Sequence, residues 1–118
     1  VTDALVPTDQ APTEGATDSL AWYEACAVSE LIEGAALASV RGRRLMMITV
    51  GERMFAFDDF CPHAGGPMHR GEFDGLVLTC PLHGWQFDLG DQGRELHGLA
   101  PLPMYPVRVV DGSVQVFL

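Results

Sequence analysis

The chain has 118 residues, enough for one domain with a real core and too few for a second catalytic domain. Sixteen acids against seven arginines, with no lysine, give a net charge of −9. A chain this acidic is not patterned as a nucleic-acid binder, and its field favours basic faces on partner proteins. No run of about 18 apolar residues is present to span a membrane. The N-terminus lacks the basic-then-apolar pattern of a signal peptide. Three cysteines do not make a disulfide framework, which fits a reducing compartment, and the expected location is the cytoplasm.

Residues 1–19 carry Asp3, Asp9, Glu14 and Asp18 with Pro7 and Pro12 and no positive charge, which reads as an extended acidic tail. The domain is expected over 20–118. Residues 21–28 fit a first strand. Ser29 to Gly34 reads as one helical turn, capped by Ser29 and stopped by Gly34. Strands follow over 35–40 and 44–50, and Gly51-Glu52 turns the chain into a strand over 53–57. Asp58 and Asp59 are expected as solvated turn residues. Residues 67–75 read as a connection, 76–79 as a buried strand, and 85–88 as a strand with Trp85 and Phe87 on one face. A short strand over 94–96 precedes the stiff Pro101-Leu102-Pro103 segment. Strands over 105–110 and 113–118, joined by Asp111-Gly112, close the chain. Many short strands between glycine turns make this an all-β pattern.

Two turns within this pattern share one design. The first is Cys61-Pro62-His63. The second, sixteen residues after it, is Cys80-Pro81-Leu82-His83-Gly84-Trp85. Each offers one thiolate and one imidazole. A proline sits where the backbone must bend, and Gly65, Gly66 and Gly84 allow tight approach just beyond. Zinc accepts two Cys and two His, so a structural zinc module is one reading. The usual finger, however, takes both Cys from one element and both His from the other. One of each from each loop suits a centre with two chemically different irons.

The stretches Cys61-Pro62-His63-Ala64-Gly65-Gly66-Pro67-Met68 and Cys80-Pro81-Leu82-His83-Gly84-Trp85-Gln86-Phe87-Asp88 resemble the Rieske family, and the likeness runs from about residue 22 to 118. The resemblance implies an antiparallel β-sandwich base with a small cluster-binding subdomain over about 60–87. It implies one [2Fe-2S] cluster per chain, held by Cys61 and Cys80 on one iron and His63 and His83 on the other. Members of cytochrome bc-type complexes carry an additional disulfide between the loops. The matching positions here are Gly66 and Leu82, so this chain looks like the soluble ferredoxins and Rieske domains of aromatic-ring oxygenase systems. Trp85, Leu82 and Phe60 are expected to keep water from the thiolate-bound iron. A proline-rich segment closes over the cluster in such domains, a role carried here to Pro101 and Pro103. Mixed ligation makes the oxidised cluster neutral, so an electron is accepted more readily than by an all-Cys cluster.

No Ser-His-Asp motif or glycine-rich phosphate loop is present. Only His69 and His97 are left over, too few for a second, mononuclear iron site, and both are expected as surface histidines. Cys26 is expected as a small buried apolar residue. Met68 and Met104 fit either core gaps or apolar surface near the cluster. The implied function is therefore a one-electron carrier, monomeric by itself and not an enzyme. A flavin or ferredoxin-type reductase would be its donor and a terminal oxygenase its acceptor. Alternatives are a tightly held Rieske subunit of a larger nitrite-reductase-like or oxygenase complex, a redox sensor, and the zinc module.

Overall fold

A computed structural model describes residues 21–63 and 65–118; the expected acidic tail, 1–19, lies outside them. The described residues form three antiparallel sheets. Strands β1 (Trp22–Ala27), β10 (Val107–Val110) and β11 (Ser113–Phe117) pair in the order β1-β11-β10. Strands β2 (Ala35–Val40), β3 (Arg43–Val50), β4 (Arg53–Asp58) and β9 (Met104–Tyr105) pair in sequence order. The third sheet joins β5 (Glu72–Asp74), β6 (Val77–Thr79), β7 (Gln86–Asp88) and β8 (Arg94–Glu95), again in sequence order.

The β3–β4 hairpin is the wall between two cores. Leu45, Met47, Met54 and Ala56 face one side and pack with Val107, Val109, Val114 and Val116 of the first sheet. Their neighbours Met46, Ile48, Phe55 and Phe57 face the other side and pack with Met68, Leu78, Phe87, Leu89 and Leu102. Successive residues of a strand point to opposite faces, so a strand covered on both faces reads as a continuous apolar run. That is why Leu45-Met46-Met47-Ile48 shows no alternation. Cys61 and Cys80 lie in the second core. Each large side chain buried there contributes about 1.5–3 kcal/mol.

The all-β sandwich and its small third sheet are as expected, with four local differences. The turn expected over Ser29–Gly34 is a 3-10 turn at Val28–Glu30, and Ser29 is not its cap. The Glu30 carboxylate instead accepts the Ala27 N–H at 2.8 Å. Gly34 stops no helix; an added Cβ there would sit 2.6 Å from Thr49 Oγ1, so the residue marks close approach to β3. β5 gave no sequence signal, because all three of its residues are exposed. The strand expected over 105–110 is split at Pro106, which has no N–H to give a ladder, and the chain changes sheets there from β9 to β10.

Candidate metal centre

β4 and β6 each deliver the chain into one of the two Cys-Pro turns, and both turns close in the same way. The Cys61 N–H donates to the Gly66 carbonyl at 2.7 Å, and the Cys80 N–H donates to the Trp85 carbonyl at 2.7 Å. In return the Cys61 carbonyl accepts the Gly65 N–H at 2.8 Å, and the Cys80 carbonyl accepts the Gly84 N–H at 3.2 Å. Each cysteine is thus bonded four and five residues ahead. The reversal needs left-handed backbone at the fourth residue, where φ is +75° at Gly65 and +76° at Gly84. Space is not the reason for glycine at these two positions, since a Cβ on either would meet nothing within 4 Å. Gly66 differs. A Cβ on it would lie 2.8 Å from Leu82 Cγ and 3.4 Å from Cys80 Sγ, so the first loop presses against the thiol of the second.

The donors are sorted by depth. Cys61 and Cys80 are 1 % and 2 % exposed, whereas His63 and His83 both lie at the surface. The two imidazoles meet edge to face with ring centres 4.8 Å apart. Their Nδ1 atoms approach to 3.3 Å. Two nitrogens on one metal at about 2.1 Å each would stand about 3.0–3.4 Å apart, and the separation here falls in that range. Trp85 stacks on His63 at 4.3 Å and 18°, which fixes that ring. Among the described residues, no three His, Cys, Asp or Glu side chains are grouped to hold a single metal ion.

Three buried carboxylates flank the loops, and the sequence hid all of them. Asp58 and Asp59 are 4 % and 5 % exposed, not the solvated turn residues expected. Asp59 accepts the His69 N–H at 2.8 Å and faces the His69 ring Nδ1 at 2.8 Å, tying together the two ends of the first loop. Its Oδ2 also lies 3.6 Å from the Arg44 guanidinium. Asp58 accepts the Tyr105 hydroxyl at 2.7 Å, and burial together with that carboxylate pushes the phenol up to about 12. Glu95 is 1 % exposed and accepts from the amides of Gln86, His97 and Leu99 and from the His97 ring. Burial works against its ionisation, yet these four hydrogen bonds overcome it and hold the carboxyl down at about 2. His97 lies at the surface as expected and His69 is half-buried, and each ring is held by a buried acid. No spacing rule marks these pairs, although an acid two residues before a histidine, as in Glu95-Leu96-His97, is the local trace of one.

The cover over the thiols also differs from expectation. Phe60 and Leu82 are 47 % and 53 % exposed, and Pro101 and Pro103 lie at the surface. The buried residue of the Pro-Leu-Pro segment is Leu102, which packs with Met68, Leu78 and Phe87 around the cysteines. Its N–H donates to the Gly93 carbonyl at 2.9 Å, and the Pro103 carbonyl accepts the Asp58 N–H at 3.1 Å. The segment is fastened at both faces by its backbone and inserts a leucine. Cys26 is buried as expected, and burial, with Glu30 and Glu24 nearby, pushes its thiol up.

Paired loops on an all-antiparallel frame, thiols inward and imidazoles outward, define a protein that holds a redox metal centre near its surface. The chain matches the Rieske [2Fe-2S] domain over residues 21–106 and belongs to that family. It is 33 % identical over 102 residues to the ferredoxin component of the naphthalene 1,2-dioxygenase system of Pseudomonas putida, covering 82 % of this chain and 95 % of that one. Among solved structures, the Sphingomonas yanoikuyae B1 ferredoxin superposes with a TM-score of 0.71 at 26 % identity, covering 81 % of this chain and 97 % of that one. A chain from the complex of reduced oxygenase and oxidised ferredoxin in carbazole 1,9a-dioxygenase superposes with a TM-score of 0.68 at 29 % identity, over 80 % of this chain and 91 % of that one. The cofactor is a [2Fe-2S] cluster, and the protein is an electron carrier rather than a catalyst. The zinc reading is set aside. Among the described residues, no helix is long and apolar enough to cross a membrane.

Proposed function

We propose that Cys61 and Cys80 hold one iron through their thiolates, that His63 and His83 hold the other through Nδ1, and that the chain passes single electrons from a reductase to a terminal oxygenase. The observation that carries the ligand set is the 3.3 Å approach of the two Nδ1 atoms above two buried thiols. A cluster bound there supplies a one-electron couple, and its mixed Cys/His ligation raises the potential relative to an all-Cys cluster. The protein's own part is to keep the thiols dry, fix the His63 ring against Trp85, and leave the outer edges of both imidazoles at the surface. Exposed Phe60 and Leu82 beside the loops provide apolar contact of the limited size that suits a short-lived complex.

The acceptor follows from the likeness to the ferredoxin–oxygenase complex of carbazole 1,9a-dioxygenase and to the naphthalene system's ferredoxin. A flavin or ferredoxin-type reductase as donor, and a monomer working in the cytoplasm, complete the proposal. The net charge of −9 favours basic docking faces on both partners, so transfer rates should fall as salt rises. The test is the visible spectrum of the protein as purified and the EPR spectrum after dithionite reduction. A red-brown protein with a rhombic signal of average g below the free-electron value supports the ligand set. A colourless, EPR-silent protein with one zinc per chain overturns it.

A further inference from the structure

We infer that Glu95 is a positioning residue that lowers the reduction potential of the cluster by acting through the peptide group between Trp85 and Gln86. The inference rests on the ligand assignment proposed above. Glu95 stands opposite Phe87 in the β7–β8 pair, and its side chain has no exposure. A buried anion at such a place is costly unless fully hydrogen-bonded, and this one is. Three of its contacts, from the amides of His97 and Leu99 and the His97 ring, fasten the 95–99 segment. The fourth has a different destination. The Gln86 N–H donates to Glu95 Oε2 at 3.1 Å, and the carbonyl of that same peptide group accepts the Cys80 N–H at 2.7 Å.

One peptide group therefore joins the carboxylate to the cysteine. With standard bond lengths across it, the carboxylate oxygen lies within about 8 Å of the Cys80 nitrogen. Hydrogen bonds in such a chain polarise one another, and a field inside the protein is little screened by salt. A fixed negative charge at this range opposes the arrival of an electron. The carboxyl's low pKa, about 2, means that the charge is present throughout the neutral range. The first loop cannot copy the device. The Cys61 N–H donates to the Gly66 carbonyl, and the next residue is Pro67, whose nitrogen has no hydrogen to pass the contact on. The tuning is confined to the Cys80 side by sequence.

The experiment is the midpoint potential of the cluster-loaded protein, with the EPR spectrum of the reduced form as control, for wild type, Glu95→Gln and His97→Ala. Glu95→Gln keeps the shape and removes the charge, so its potential should move positive. His97→Ala removes an exposed side chain and one of the carboxylate's donors. The anion is then less compensated, and the potential should move negative. Opposite shifts with the EPR signal retained establish the inference, because a residue that only braced the fold would not produce them. If both variants keep the signal and match the wild-type potential, while melting lower, Glu95 is a brace and the inference is overturned. If Glu95→Gln does not fold, His97→Ala decides: a negative shift supports the inference and no shift overturns it. Absence of the reduced signal in wild type would count against the ligand assignment instead.

Discussion

The first and second ligand loops have the same backbone closure and different supports. Cys61 and Cys80 each bond four and five residues ahead, and the glycines at the fourth positions share one left-handed conformation. Beyond that the loops part. The first is tied across its base by Asp59, which holds His69 on the far side of the loop. The second is tied from outside by Glu95, which reaches the peptide after Trp85. A common turn thus sets where the candidate ligands stand, while unlike carboxylates set how firmly each loop is held and what charge it feels. The two supports also differ in rank. Asp59 closes a loop and acts on stability, whereas Glu95 acts on stability and, on the inference above, also on the redox couple through its connection to a cysteine.

The comparison breaks first at the ligands. Cys80→Ser and His83→Ala should each abolish cluster binding, with iron per chain falling to background and the visible colour lost. Retention of a full cluster by either variant would refute the equivalence of the loops. Next is the contact between them. Gly66→Ala drives a methyl to within 2.9 Å of two Leu82 carbons, so it should destabilise the protein by about 1–3 kcal/mol in urea unfolding. Leu82→Ala in the same chain should recover most of that loss. If Gly66→Ala melts like wild type, the loops are not pressed together.

Asp59→Asn leaves His69 with a weaker acceptor and should cost about 1–3 kcal/mol. Loss of iron to a chelator should quicken in step, since the first loop is no longer tied at its base. The last effect concerns acid. The Glu95 carboxyl sits at about 2 in the folded protein against an ordinary 4.5, so its contribution is complete above pH 4.5 and is lost as pH falls through about 2. The urea midpoint of wild type should therefore fall across that window more steeply than that of Glu95→Gln. Parallel profiles would show that Glu95 carries no such linkage.

Much of this was legible in the chain. The Cys-Pro turns marked the candidate ligands, because a metal fixes residue type and spacing together. The pairing of Gly66 with Leu82, read from family likeness as the place of a missing disulfide, is a direct contact in the fold. The strands of the β3–β4 hairpin were clear from their apolar runs, though not that one hairpin lines two cores. Asp58, Asp59 and Glu95 were illegible. An acid in a short turn or a two-residue strand looks solvated, and only the tertiary donors around it reverse that reading. Pro101 and Pro103 misled for a related reason: their stiffness was visible, but the buried residue is Leu102 between them. Side-chain depth in a segment without periodicity is decided by the core it meets.

An outward-facing electron exit requires the two imidazoles to share one iron. Pulsed EPR of the dithionite-reduced protein, prepared with nitrogen-15 in its histidines, addresses this most directly. Two strongly coupled histidine nitrogens are expected, both changing with the isotope, from His63 and His83. A reduced cluster that shows no histidine coupling, or only one, would contradict the assignment and the outward-facing exit built on it.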